Sequence, residues 1–129
     1  MVSFTREGVV SATPEDVFRH WVDGEGHALM TGAAASSDAR VGGAFDAWDG
    51  FIAGTWTALE GPTRIAFRWR TTAWPEGAED STVEVTLEPH DRGCRVVIRH
   101  EGIPDGQPDY DQGWIDHYLT PMASHFGGR

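Results

Sequence analysis

The sequence predicts an α+β domain in which a curved antiparallel sheet wraps around a long C-terminal helix. Three observations carry that reading. Tyr110, Trp114, Ile115, Tyr118, Leu119, Met122 and Phe126 recur at three- and four-residue steps, which places them on one stripe of a helix. From Gly42 onward, apolar and polar residues alternate instead, the period of strands with one covered face. Three hairpin turns, each read from its own chemistry, then put the large side chains on the same face. A sheet with a bare apolar face and one amphipathic helix imply each other. Whether the space between them is filled or hollow decides what the domain can do.

At 129 residues the chain is expected to form one domain spanning 1–129, able to bury roughly two thirds of its unfolded surface. Its charged and hydrophobic fractions, 23% and 40%, are those of a folded globular protein. The formal net charge is −10, and every basic side chain among the ten is an arginine. That surface argues against nucleic acid, which needs a basic footprint, and against anionic membranes. Arginine without lysine, in an Ala/Gly-rich chain, points to a GC-rich bacterial genome. Cys94 stands alone, so no intrachain disulfide and no thiolate metal cluster is expected. The first residues form no apolar signal core, and no apolar run reaches membrane-spanning length. A cytoplasmic location is the expectation.

Residues 3–12 read as a first strand, with Phe4, Val10 and Ala12 on one parity. Thr13-Pro14-Glu15-Asp16 starts a helix: a capping hydroxyl, a proline at the first helical position and two acids at the positive end of the dipole. Val17, Phe18, Trp21 and Val22 give its buried stripe. Asp23-Gly24-Glu25-Gly26 ends it, a second short helix is expected over 25–31, and the small polar residues 32–41 read as a loop. Trp48-Asp49-Gly50-Phe51 is a hairpin turn. It sets Phe45 opposite Gly54 and Gly43 opposite Trp56, with Phe45, Ile52 and Trp56 on one face. The turn Glu60-Gly61-Pro62-Thr63 sets Ala58 opposite Ile65, Trp56 opposite Phe67 and Gly54 opposite Trp69. After an acidic loop, a turn at Asp91-Arg92 pairs Leu87 with Val96, Val85 with Ile98 and Val83 with His100. The other face carries Arg68, Arg70, Glu84, Glu88, Arg95 and Arg99. Interleaved charges of this kind mark a solvated sheet face, with an anion site as the minority reading.

Ala12-Thr-Pro14-Glu-Asp-Val17-Phe18, Val41-Gly42-Gly43-x-Phe45, Ile65-x-Phe67-x-Trp69, His100-x-Gly102 and Tyr110-x-x-Gly113-Trp114 follow one another in a characteristic order. In these the chain, from residue 4 to about 126, resembles the SRPBCC (START-like, helix-grip) superfamily. Within it the chain is similar to bacterial relatives of the C-terminal domain of the activators of the ninety-kilodalton heat-shock chaperone ATPase. The resemblance implies a helix-grip, β-α-α-β6-α fold, in which an apolar cavity often lies between sheet and helix. The superfamily includes lipid and steroid carriers, polyketide aromatase/cyclases and chaperone activators, so fold alone does not assign function. The eukaryotic activators carry a separate chaperone-binding domain that this sequence lacks, and chaperone activation is not carried over. Pro121 falls inside the last helix and should kink or break it.

The expected ligand-binding residues are Phe45, Trp56, Phe67, Trp69, His100, Trp114, Tyr118 and Met122. Two readings compete for the aromatics: ordinary core, or the lining of irregular gaps left where large rings meet Gly43 and Gly54. Gly113 is expected to let Trp114 approach the sheet closely. His100, which matches the family's histidine, points inward by parity. It is either satisfied by a neighbouring protein group or available to orient a ligand's carbonyl or hydroxyl. No metal or other cofactor is expected. His117 and His125 lack ligand spacing, and the Asp105–Asp111 acids lack the calcium-loop glycine and so read as helix caps. Ser124-His125 and Asp116-His117-Tyr118 form no catalytic constellation. The first functional reading is a non-catalytic module holding a small hydrophobic molecule, as a monomer or weak homodimer. An aromatase/cyclase-type enzyme using His100 or Tyr118, and a stress-related module contacting a chaperone, are the alternatives.

Overall fold

The computed structural model describes residues 1–127. Seven strands form one antiparallel sheet in the order β1-β7-β6-β5-β4-β3-β2. They are β1 (Val2–Val10), β2 (Ser36–Ser37), β3 (Ala44–Ala47), β4 (Ile52–Glu60), β5 (Arg64–Thr71), β6 (Ser81–His90) and β7 (Gly93–Ile103). Helices α1 (Pro14–Val22) and α2 (Gly24–Thr31) follow β1, and a C-terminal helix closes the chain over the sheet's inner face. This is the α+β helix-grip arrangement expected. No helix among the described residues is long and apolar enough to cross a membrane.

The local chemistry explains the helix boundaries. Thr13 Oγ1 accepts the Asp16 N–H at 3.1 Å, and Pro14 opens α1. Asp23 ends α1 and starts α2, its carboxylate accepting the Gly26 N–H at 2.8 Å. Gly26 lets the two helices meet, since a Cβ there would lie 2.8 Å from the His20 Cα. Val17 and Trp21 are buried, while Phe18 and Val22 cover the edge of the core.

The β6–β7 register is the expected one throughout, including Val83 opposite His100. Phe45 lies opposite Gly54, and Trp56 donates its backbone N–H to the Gly43 carbonyl at 3.0 Å. Between β4 and β5, Trp56–Phe67 and Gly54–Trp69 pair as expected, but Ala58 faces Ala66 and Leu59 faces Ile65. The turn holds three residues rather than two, closed by the Thr63 N–H on the Glu60 carbonyl at 2.8 Å. A bulge between Trp56 and Ala58 absorbs the extra residue. It turns Leu59, the larger apolar side chain, toward the core.

Residues 32–41 are not all loop. Ser36 and Ser37 pair with Asp46 and Phe45 as the edge strand β2. Ser37 Oγ donates to the Val22 carbonyl at 2.6 Å and accepts the Trp56 indole N–H at 3.0 Å. Two serines carry no apolar period, so side-chain hydrogen bonding fixes this strand.

The outward face is charged and largely paired: Arg64 with Glu84 at 2.6 Å, Arg70 with Asp80 at 2.9 Å, Arg95 with Glu7 at 3.1 Å. Glu84 and Glu88 stand opposite Arg99 and Arg95 in register, as expected, although Glu84 spends its carboxylate on Arg64.

The C-terminal helix has three parts: α3 (Tyr110–Trp114), a π-helical turn (Ile115–Leu119) and α4 (Thr120–Gly127). Pro121 does not break the helix, and the disruption expected there takes the form of the π-helical turn that precedes it. The Thr120 N–H reaches back five residues to the Ile115 carbonyl, so a widened turn lies just before the position at which proline has no donor to give. Asp109 caps α3 through the Gln112 N–H at 3.2 Å, and Asp111 pairs with Arg6 of β1. Asp109 therefore caps the helix as the sequence suggested, and Asp111 in its first turn anchors it to β1, whereas Asp105 pairs with the Met1 amino group at 3.1 Å.

Candidate functional site

A cavity of about 360 Å³ lies between the β3–β4 turn, β5 and the C-terminal helix. Buried Ile52, Trp69, Trp114 and Tyr118 form its inner wall, and Tyr110 and Gly113 close one side. Exposed Phe51, Pro108, Asp109 and His117 stand at the rim, with Trp48 beside His117 at a ring-centroid distance of 5.0 Å. No arginine takes part in the wall.

Gly113 keeps this volume open. A Cβ there would meet only the His117 side chain, at 4.0 Å. The expectation that Gly113 permits close approach to the sheet is therefore corrected: its missing side chain faces the cavity side, with no sheet atom near. Gly54 acts in the opposite way. A Cβ there would collide with the Arg68 carbonyl oxygen and sit 2.6 Å from the Phe45 ring, so neighbouring backbone and that ring leave no gap beside it.

Three of the expected site residues, Trp69, Trp114 and Tyr118, come together in the wall. Phe45, Trp56 and Phe67 lie apart from it as a packed cluster. The Phe45 and Trp56 rings stack at 4.4 Å, and Phe67 stands edge-on to them at 5.2 and 5.4 Å. Met122 is fully buried outside the wall.

His100 lies behind the wall, with no solvent exposure. The Trp114 indole N–H donates to its Nδ1 at 3.0 Å, which leaves the ring proton on Nε2. Nε2 donates to Ser81 Oγ at 2.8 Å, and that hydroxyl donates to the Trp69 carbonyl at 2.8 Å. Burial pushes the His100 pKa down to about 3, so the ring is neutral at ordinary pH. Of the two readings of His100, the geometry realises the one in which protein groups satisfy both nitrogens.

Sequence reasoning missed a second buried histidine. His27 of α2 donates from Nδ1 to the Trp21 carbonyl at 2.9 Å and accepts the Tyr118 hydroxyl at Nε2, at 2.7 Å. Desolvation lowers the His27 pKa, and it raises that of Tyr118, so the pair is neutral. Trp48, Phe51, Ile52, Tyr110 and His117 were also not among the expected site residues. A usable signal was present for two of them, since Trp48 and Phe51 put large rings on either side of an Asp-Gly turn, where polar residues are usual.

A family model described as Activator of Hsp90 ATPase homolog 1-like protein matches residues 11–127. The chain belongs to this family. Among its relatives, the mouse Activator of 90 kDa heat shock protein ATPase homolog 1 is 30% identical over 116 residues, covering 89% of this chain. The human counterpart is 29% identical over the same length. The chain spans 34% of the length of these two mammalian proteins. An HSP90 activator from Plasmodium falciparum has a similar structure, with a TM-score of 0.86 at 25% identity over 98% of this chain and 97% of that one. The Aha1 dimer from Colwellia psychrerythraea shares the fold with a TM-score of 0.80 at 16% identity, over 100% and 99% of the two chains.

Proposed function

We propose that this member of the activator family is a non-catalytic binding module that holds a small apolar or aromatic molecule between sheet and C-terminal helix. The observation that carries the reading is the 360 Å³ cavity, walled by aromatic rings and kept open at Gly113. Concave, mostly apolar pockets of this order are the usual form of small-molecule sites. A catalytic role has less support, because His100 and Tyr118, the groups named for proton movement, spend their hydrogen bonds inside the protein. The experiment is titration with N-phenylnaphthylamine, a neutral diaryl fluorophore. Saturable one-to-one binding, weakened by Trp114→Ala in a folded variant, is expected. Absence of saturable binding overturns the reading.

The family match favours a second reading, contact with a chaperone of the ninety-kilodalton heat-shock class. The two readings are compatible. The measurement is the ATPase rate of such a chaperone with and without the chain. No change in rate and no complex at micromolar concentration removes this second reading.

A further inference from the structure

The polar side chains of the inner wall are already committed. The Trp114 indole N–H is taken by His100, and the Tyr118 hydroxyl donates to His27. The Tyr110 hydroxyl donates to Gln107 and accepts the Trp74 indole N–H. The indole nitrogens of Trp48 and Trp69 are shut away from solvent, and so from the cavity as well. A ligand's polar group at the back of this cavity would lose its water and find every polar side chain there engaged or out of reach. Such a loss is unfavourable unless a hydrogen bond replaces it.

The mouth differs. His117 is exposed, and among the described residues its ring nitrogens make no hydrogen bond. Its Cδ2 is the atom that a Cβ at Gly113 would meet, at 4.0 Å, on the open side of that glycine. Nε2 is bonded to Cδ2, so a polar edge of the imidazole borders the volume that Gly113 leaves free. Trp48 supports the ring in this place. Its φ is +52°, a conformation that bulky residues rarely take, and its indole meets the imidazole edge-on at 5.0 Å. Residues held in such conformations concentrate at binding sites.

Resting on the cavity reading above, we infer that the occupant is a neutral hydroxylated aromatic molecule, its rings inside and its hydroxyl at the mouth on His117. Ring walls favour an aromatic body, and a few placed polar groups orient a ligand in an apolar pocket. A neutral imidazole has one donor and one acceptor nitrogen, and a hydroxyl can answer either. A carboxylate in its place is disfavoured, since Asp109 also stands at the rim, no arginine lines the wall and the chain carries a net charge of −10. A second hydroxyl at the opposite end of the molecule has no partner to meet.

Biphenyl, 4-phenylphenol and 4,4′-dihydroxybiphenyl make the test. They share the same two rings and carry no hydroxyl, one, or one at each end. Binding of each to the full chain is measured by displacement of N-phenylnaphthylamine. 4-Phenylphenol is expected to bind at least threefold tighter than biphenyl, although biphenyl is the more hydrophobic. It is expected to bind at least tenfold tighter than 4,4′-dihydroxybiphenyl. His117→Ala should erase the advantage over biphenyl, and His117→Gln, which keeps a hydrogen-bonding side chain, should retain part of it. His117 is exposed, so both variants should fold; unfolding of both would make it a packing residue and overturn the inference. Biphenyl binding as tightly as 4-phenylphenol, equal binding of the one- and two-hydroxyl compounds, or an advantage that survives His117→Ala also overturns it, while leaving the cavity a ligand site. Failure of all three compounds to displace a bound probe overturns the inference alone. Failure of the probe itself to bind overturns the cavity reading as well.

Discussion

Two groups of aromatic side chains, one carried by the sheet and one shared among a strand, a turn and the C-terminal helix, behave differently. Phe45, Trp56 and Phe67 close on one another, with Gly54 filled by the Phe45 ring and the Trp56 nitrogen bonded to Ser37. Trp48, Trp69, Trp114 and Tyr118 instead surround a volume, and two of their nitrogens have no partner. Residue type does not separate the groups. A glycine against a ring closes space at Gly54, and a glycine on the helix opens it at Gly113. Aromatic content supplies the material for a pocket, and backbone geometry decides whether one exists.

The contrast breaks most visibly by truncation. Trp56→Ala is expected to cost about 3–5 kcal/mol, the range for removing a large ring from a closed core, a severe loss for a small domain. Trp48→Ala, at a partly exposed and strained position, is expected to cost about 1 kcal/mol or less. Urea unfolding of the two variants measures both. Equal costs would mean that the two groups are energetically one core.

Acid sharpens the same comparison, because the polar groups behind the cavity are buried neutral. The folded pKa of His100 lies near 3, and that of His27 is also lowered, whereas an unfolded histidine titrates near 6.5. The unfolded chain therefore gains protons first as pH falls. This contribution to stability is complete above the unfolded pKa and is lost progressively down to the folded one. His100 alone should remove about 2 kcal/mol between roughly pH 7 and 5. His100→Gln, which does not titrate there, should flatten that slope even if it lowers the plateau. An unchanged slope in unfolding free energy against pH would contradict the assignment of His100 as a neutral core group.

Much of this was legible in the residues themselves. Turn chemistry and parity gave the β6–β7 ladder and all but the bulged end of β4–β5. Thr13, Asp23 and Asp109 marked the helix ends through side-chain hydrogen bonds that a sequence can announce, and Pro14 through its fixed φ at the first helical position. Less legible was anything settled by three-dimensional competition. The bulge that trades Ala58 for Leu59 depends on how a three-residue turn closes. The edge strand at Ser36–Ser37 is held by side-chain hydrogen bonds to distant elements. The π turn before Pro121 is a local accommodation that no periodicity encodes. For the site, stripe and parity located Trp69, Trp114 and Tyr118. The same parity could not separate them from Phe45, Trp56 and Phe67, because all point inward. Trp48 escaped because turn positions are read for their backbone and not for their side chains. His27 escaped because its partner, Tyr118, lies ninety-one residues away.

A subtler change separates stability from binding at one residue. Trp48→Gly removes a ring from the cavity wall and also relieves a positive φ. Its stability is expected to stay within about 1 kcal/mol of wild type, while affinity for N-phenylnaphthylamine falls at least tenfold, about 1.4 kcal/mol. Paired unfolding and titration curves test this. A strongly destabilised variant would show that Trp48 is held by packing rather than by its place at the cavity.

The most direct measurement of the central claim, that the cavity is a ligand site, is N-phenylnaphthylamine affinity in Gly113→Leu. A side chain starting there meets only the end of His117, so the variant should fold, with helix propensity in its favour. The new side chain would occupy the volume between Trp114, His117 and Trp69. The account expects an unfolding midpoint at or above that of wild type and a tenfold or greater loss of affinity. A folded Gly113→Leu protein that binds the probe as tightly as wild type would contradict it.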